Sequence, residues 1–281
     1  GSKIAPDFIG RSGPISKLVD KQSIDDFRQK GVTVLRGAFT GWVDELRAGI
    51  DANMNDPDPN ARIYKGENGN GRFFVDYCNW DRIAEYENFI FNSNAAHIGA
   101  TLMNSQNVQL FHEHVLVKEA STDVPTPWHQ DAPYYCVTGP KTVSLWVPLD
   151  TIERDTTLEF VSGSHLWGKH FRPQRFDGSA LNEDDGLEEI PDINQHRDEY
   201  EILGWAVDPG DAIAFDYRTI HGAAGNHQPN RQRRAFSLRL VGDGARFVRR
   251  DGLVSSPPFP NLTLKSGDPL TGDTFPFLLH A

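Results

Sequence analysis

The chain has 281 residues, with 28 Lys and Arg against 39 Asp and Glu, giving a formal net charge of −11. That balance argues against a general nucleic-acid binder, whose affinity comes from neutralising phosphates, and against docking on an anionic membrane surface. With 38% hydrophobic residues, including 17 Phe and 6 Trp, there is apolar material for a sizeable core, so wholesale disorder is excluded.

Ser23, with Asp26 three residues on, resembles a capping box and opens a short helix to Lys30, where Gly31 stops it. Val32–Leu35 predicts a strand. Trp42, Leu46 and Ile50 repeat at helical spacing, so Gly41–Met54 predicts a second helix, ended by Pro57 and Pro59. A third helix is expected over about Asp81–Met103, carrying Ile83, Tyr86, Phe89 and Ile90. From Val108 the texture changes to short strands: Val108–Lys118, Thr142–Pro148, Leu158–Val161, Trp205–Val207, Ala212–Phe215 and Arg234–Val241. Gly, Pro, Asn and Asp punctuate them. Many short strands with turn chemistry predict a mainly β protein, a β-sandwich or jelly roll, with the N-terminal helices packed on the sheet. Asp177–Tyr200 is acidic and lacks periodicity, so it reads as a solvated insertion, with a lid as the alternative. No repeat or linker divides the chain. One domain is expected, helical over about 1–105 and jelly-roll over about 106–245, with a tail over 246–281.

Cys78 and Cys136 are too few for a disulfide framework or a zinc site. No apolar stretch approaches the ~20 residues of a membrane span. The first residues lack a signal pattern and Gly1-Ser2 reads as an expression remnant, so a soluble cytoplasmic protein is expected.

Trp128-His129-Gln130-Asp131 sets a histidine and a carboxylate two residues apart, on one face if the backbone is extended. His221 follows the strand ending at Phe215. Two imidazoles and one carboxylate can occupy one face of an octahedral ion, as in non-haem iron(II) oxygenases. By chance alone, His-x-Asp is common, and these residues also read as satisfied surface polar groups. Arg231, Arg233 and Arg234 open the last long strand. An inward arginine there would pair with a carboxylate; a solvated turn is the plainer reading, above all for Arg231.

Trp128-His129-Gln130-Asp131, Ser144–Asp150, Phe160–His165, Pro209-Gly210-Asp211, His221-Gly222 and Arg233-Arg234-Ala235 together resemble the phytanoyl-CoA dioxygenase family. These are iron(II)- and 2-oxoglutarate-dependent oxygenases on a double-stranded β-helix, a cupin-like jelly roll. The resemblance implies iron ligands His129, Asp131 and His221, with O2 as co-substrate. It implies Arg233 on the 5-carboxylate of 2-oxoglutarate and Trp146 lining the co-substrate pocket. The neighbour Arg234, pointed the other way by strand alternation, is second choice for that anchor because the loop after His221 varies in length among relatives. Two departures are Thr156-Thr157, where relatives often carry Asn-Gly, and Ala223, where several carry Ser. Retention of Asp131 favours hydroxylation or another oxidation over halogenation.

A small-molecule substrate is implied, its identity unmarked. Tyr134 and Tyr135 lie just past the ligands, and Phe74 and Tyr77 sit in the aromatic run Arg72–Trp80. Each is a candidate substrate residue, with ordinary core packing as the alternative. His112 and His114 share a strand face; they either look into the site or are half-buried strand residues, the plainer reading. His165 reads as structural, and Ser164 lacks the Gly-x-Ser-x-Gly elbow of a hydrolase. The rival reading is a cupin-type jelly roll that binds metal without 2-oxoglutarate, or that has lost activity.

Overall fold

The computed structural model describes residues 9–65, 71–122, 124–225, 230–250 and 253–281. Gly1-Ser2 lies outside them. The helices are α1 (Ile15–Leu18), α2 (Lys21–Lys30), α3 (Val43–Asn55), α4 (Ala84–Asn92) and α5 (Ala95–Met103). The main strands are β1 (Val32–Leu35), β2 (Arg62–Lys65), β3 (Arg72–Tyr77), β4 (Val108–Lys118), β5 (Thr126–His129) and β6 (Thr142–Pro148). They continue as β7 (Leu158–Val161), β8 (Ile202–Leu203), β9 (Ala212–Phe215), β10 (His221–Ala223), β11 (Arg233–Val241) and β12 (Phe277–Leu279).

Two antiparallel sheets result. The larger runs β1-β9-β6-β11-β4-β3-β2, and the smaller runs β8-β7-β10-β5. The long strand β4 shares one edge between two partners. Its C-terminal half pairs with β3 and its start with β12. The C-terminal tail therefore closes the sheet beside residues from the first third of the chain.

Strand alternation decides what each face carries. Along β11, Phe236, Leu238 and Leu240 face one side, and Arg233, Ala235, Ser237 and Arg239 the other. The first set joins Leu145 and Val147 of β6, Val115 and Val117 of β4, and Leu46, Ile50, Tyr86, Phe89, Ile98 and Leu102 of the helices in one buried core. Helices on the outside and a polar-lined cavity between the sheets follow directly.

Several expectations need correction. The cap of α2 is Asp20, which accepts from the Ser23 amide, so Ser23 already lies inside the helix. The expected helix Asp81–Met103 is two helices, broken where Ser93 adopts extended backbone and Asn94 reaches the carbonyl of Ala38. Trp205–Val207 forms no strand; Val207 makes an isolated bridge to Ile152. The helical first third also supplies three strands of the larger sheet. The acidic segment Asp177–Tyr200 is anchored as well as solvated: Ile193 is buried, and Asn194 accepts from the Trp128 indole at 3.0 Å. Among the described residues no helix is long and apolar enough to cross a membrane.

Candidate active site and metal centre

His129 ends β5 and His221 begins β10, and the ladder sets them opposite each other. Their rings lie 4.2 Å apart. Asp131 reaches the same point by a different route from the one expected. It is not on extended backbone but in the helical region (φ −79°, ψ −37°), at the head of a 3₁₀ turn over Ala132–Tyr134. The amides of Asp131 and Ala132 both donate to the carbonyl of Tyr217, at 2.9 and 2.8 Å, and hold that turn. Between the ligand candidates, Gln130 points away. It donates to the carbonyls of Lys169 and Arg218 and accepts from the Phe171 amide, pinning the loop from behind.

The three groups converge. His129 Nε2 is 3.3 Å and His221 Nε2 3.6 Å from Asp131 Oδ1. The set lies within 4.8 Å, and among the described residues it is the one such cluster of ligand-type side chains. Each ring directs Nδ1 at a backbone carbonyl, His129 at Pro127 (2.7 Å) and His221 at Thr219 (3.0 Å). A carbonyl can only accept, so Nδ1 carries a proton and Nε2 is left as the nitrogen that can ligate at the cluster. Burial, then His129, lowers the His221 pKa to about 4, which keeps that ring neutral. Burial works against ionisation of Asp131, but His221, His129 and Arg239 outweigh it and hold the carboxyl below its usual range. Asp131 Oδ2 is buried without a hydrogen-bond partner. Two imidazoles that turn Nε2 to one carboxylate, whose other oxygen has no hydrogen-bond partner, fit an iron(II) ion bound on one face.

The cluster opens into a cavity of about 1020 Å³, including its mouth. Trp146, Tyr77, Tyr134, Tyr135 and Arg233 all line it. Strand alternation turns Arg233 inward, where its guanidinium lies 5.9 Å from the Trp146 ring and donates to the carbonyl of Thr156. Arg234 turns outward into a two-pronged pair with Asp150 at 2.9 and 3.0 Å. Arg231 is exposed beside Glu153. Tyr134 stands 5.9 Å from the His129 ring and is tied at its hydroxyl to the backbone of Gln174. The segment before the acidic stretch thus forms the cavity mouth.

Phe74 does not line the cavity. It faces the helices and belongs to the core, because neighbours on a strand point to opposite sides. His112 and His114, read from the sequence as ordinary strand residues, both face the cavity. His165 is structural as expected, its Nε2 against the carbonyl of Arg28 at 2.8 Å.

Two cavity residues were not singled out from the sequence. Lys118, 3% exposed, faces Arg233 across the ladder. Burial, then Arg233, drives its pKa well below the usual lysine range. Arg239 stands at the other end of β11 with its Nη2 3.9 Å from Asp131 Oδ2. Counting by twos from Arg233 and from His112 would have found both.

The phytanoyl-CoA dioxygenase (PhyH) family profile matches residues 27–235. The chain belongs to that family. Phytanoyl-CoA dioxygenase relatives are iron(II)- and 2-oxoglutarate-dependent oxygenases, and the fold agrees with solved structures of the same kind. The α-ketoglutarate-dependent carbocyclase SnoK from nogalamycin biosynthesis is 19% identical, covering 92% of this chain and 96% of its own, with a TM-score of 0.70. The epimerase SnoN, solved with Fe3+, α-ketoglutarate and nogalamycin RO, is 21% identical over 92% and 98%, also at 0.70. EctD from S. alaskensis, solved with 2-oxoglutarate and 5-hydroxyectoine, is 17% identical over 95% and 89%, at 0.68. A search of curated protein sequences gives no match. At these identities the neighbours share a fold with this phytanoyl-CoA dioxygenase family member.

Proposed function

We propose that this chain is a single oxygenase domain that oxidises a small organic molecule by hydroxylation, with His129, Asp131 and His221 holding iron(II) and Arg233 holding the far carboxylate of 2-oxoglutarate. The observation that carries the reading is the orientation of the two histidines. Both direct Nε2 at one carboxylate oxygen because backbone carbonyls occupy both Nδ1 positions. When bound, iron(II) supplies the oxidation, using O2 and decarboxylating 2-oxoglutarate to succinate and carbon dioxide.

The side chains do the rest. Arg233 and Lys118 face the cavity, and among the described residues no carboxylate pairs with either, which suits an incoming carboxylate. Trp146 gives the co-substrate chain an apolar wall, and Phe215, Leu158 and Leu116 exclude water around the ligands.

The test is succinate release from 2-oxoglutarate with iron(II) added. His129→Ala and Asp131→Ala should abolish metal-dependent turnover, whereas Arg233→Ala should raise the KM for 2-oxoglutarate by roughly 100-fold. Full succinate production by Asp131→Ala would sink the ligand assignment. Indifference of activity to Arg233→Ala would favour the cupin-type reading.

A further inference from the structure

The inward rows of β4 and β11 carry charge at both ends of the cavity. Lys118 pairs with Arg233 at one end of the ladder, and His112 pairs with Arg239 at the other, with His114 next along. The first end is accounted for by the co-substrate. At the second, Arg239 Nε donates to the Tyr135 hydroxyl at 3.1 Å and Nη1 to the Ser237 carbonyl at 3.3 Å. Its Nη2 lies 3.9 Å from Asp131 Oδ2, too far for a hydrogen bond. His112 Nδ1 and His114 Nε2 are buried with no hydrogen-bond partner. All three side chains line the cavity.

Charge counting sharpens the point. Lys118, Arg175, Arg233 and Arg239 line the cavity, and Asp131 is the one carboxylate among the described residues that do. This surplus of cations sits in a chain of net charge −11. Iron(II) and dianionic 2-oxoglutarate cancel formally, so the surplus persists with both bound. Asp131 is the one carboxylate near Arg239, 3.9 Å away, and in the oxygenase reading it is shared with the metal, so Arg239 has no anion to itself and none within hydrogen-bond distance among the described residues. A buried guanidinium in that position is costly, and the group that relieves it has to arrive with the substrate. Burial, then Arg239, lowers the His114 pKa to about 3, and burial holds His112 down likewise. Both rings are therefore neutral and each has one N–H to offer. One guanidinium flanked by neutral donors matches a monoanion better than a phosphate dianion, which ordinarily draws several cations. A clamp role for Arg239 on Asp131 would leave the two orphaned imidazole nitrogens and the cation surplus without an account.

We propose that Arg239, with His112 and His114, binds a carboxylate of the substrate, so that the molecule oxidised is an organic acid whose acid group sits beside the metal ligands. The proposal deepens the oxygenase reading above and rests on it.

Anaerobic protein loaded with iron(II) and saturated with 2-oxoglutarate is titrated calorimetrically with acetate, butyrate and phenylacetate, each against its amide. At least one acid should bind about tenfold or more tighter than its amide. Arg239→Gln should remove that preference, and Arg239→Lys should restore part of it. Binding of 2-oxoglutarate, measured first in each protein, separates the two possible failures. If the unmutated protein takes up no 2-oxoglutarate, the oxygenase reading falls. If it does, and no acid outbinds its amide, the anion pocket falls. Preference surviving in Arg239→Gln overturns it too, since the acid would then be held by the metal. Where Arg239→Gln fails to fold, absence of any acid preference in the unmutated protein still overturns the pocket, and Arg239→Lys carries the test of a preference that is present: a drop supports the pocket and an unchanged preference overturns it.

Discussion

Lys118 and Arg233 are 3% and 7% exposed, and neither forms an ion pair among the described residues. Burial lowers Arg233 to about 10 and Lys118 further below its norm. Such a pair weakens the empty fold and strengthens the hold on an incoming carboxylate, since an uncompensated buried charge costs several kcal/mol, of order 3–5. Lys118→Met is therefore expected to weaken 2-oxoglutarate binding by roughly tenfold while making the empty protein more stable by about 1 kcal/mol. Calorimetry and urea unfolding read the two effects separately; loss of stability with unchanged affinity would refute the pairing. On the opposite side of the same strand, Glu113 is fully buried and its carboxyl is raised to about 8 by burial, although the amides of Asn79 and Trp80 donate to it. A carboxyl raised above its unfolded value of 4.5 binds its proton more tightly when folded. Its stabilising share is complete below pH 4.5 and is lost as pH climbs to 8. Glu113→Gln should remove that decline, worth at most roughly 1.4 kcal/mol per pH unit, in urea titrations from pH 5 to pH 8. Identical slopes in the two proteins would show that Glu113 does not titrate there.

Among the elements, α2 bears on the site without touching it. It ends at Gly31, whose φ of +80° favours glycine. A Cβ there would meet Thr219 Oγ1 at 2.5 Å and His165 Nδ1 at 2.6 Å. The Gly31 carbonyl accepts from the Thr219 hydroxyl at 2.9 Å, and the Thr219 carbonyl in turn fixes the proton on His221. Gly31→Ala is thus expected to destabilise by roughly 2 kcal/mol or more, and to weaken iron(II) binding as well. Thermal unfolding with and without metal tests this; a stability loss with metal affinity intact would uncouple the helix end from His221. Half of the main strands, β1, β4, β6, β7, β9 and nearly all of β11, were legible in the residues because alternation and turn chemistry are local. The break between α4 and α5 was not. Their apolar periodicity runs on, and the break depends on Asn94 meeting Ala38, more than fifty residues earlier in the chain.

At the scale of the whole molecule, the site is assembled from both sheets and shut by the chain's later segments. Tyr134 meets Gln174, and Ser256 and Pro257 join the cavity wall. Phe111 of β4 packs with Phe259 and Phe275 of the tail. Ligands that bind only the folded chain should therefore stabilise all of it together. With iron(II) and 2-oxoglutarate each near 100 times its Kd, unfolding should cost about 2.7 kcal/mol more per ligand. Urea unfolding measures this, and Arg233→Ala should lose the 2-oxoglutarate share alone. Equal stabilisation of Arg233→Ala by 2-oxoglutarate would place the co-substrate elsewhere.

The order of residues marked half of the main strands and the two opposite faces on which Arg233 and Arg234 stand, and the family resemblance it carries named His129, Asp131 and His221 as candidate ligands. Alternation and residue chemistry are properties of short stretches, and each can be read without its neighbours in space. Only the tertiary structure decided that Asp131 arrives by a 3₁₀ turn, that Phe74 is core, and that His112, His114, Lys118 and Arg239 share one cavity. Those outcomes depend on which strands become neighbours and which face meets the helices, and pairing between distant segments leaves no mark on either one alone.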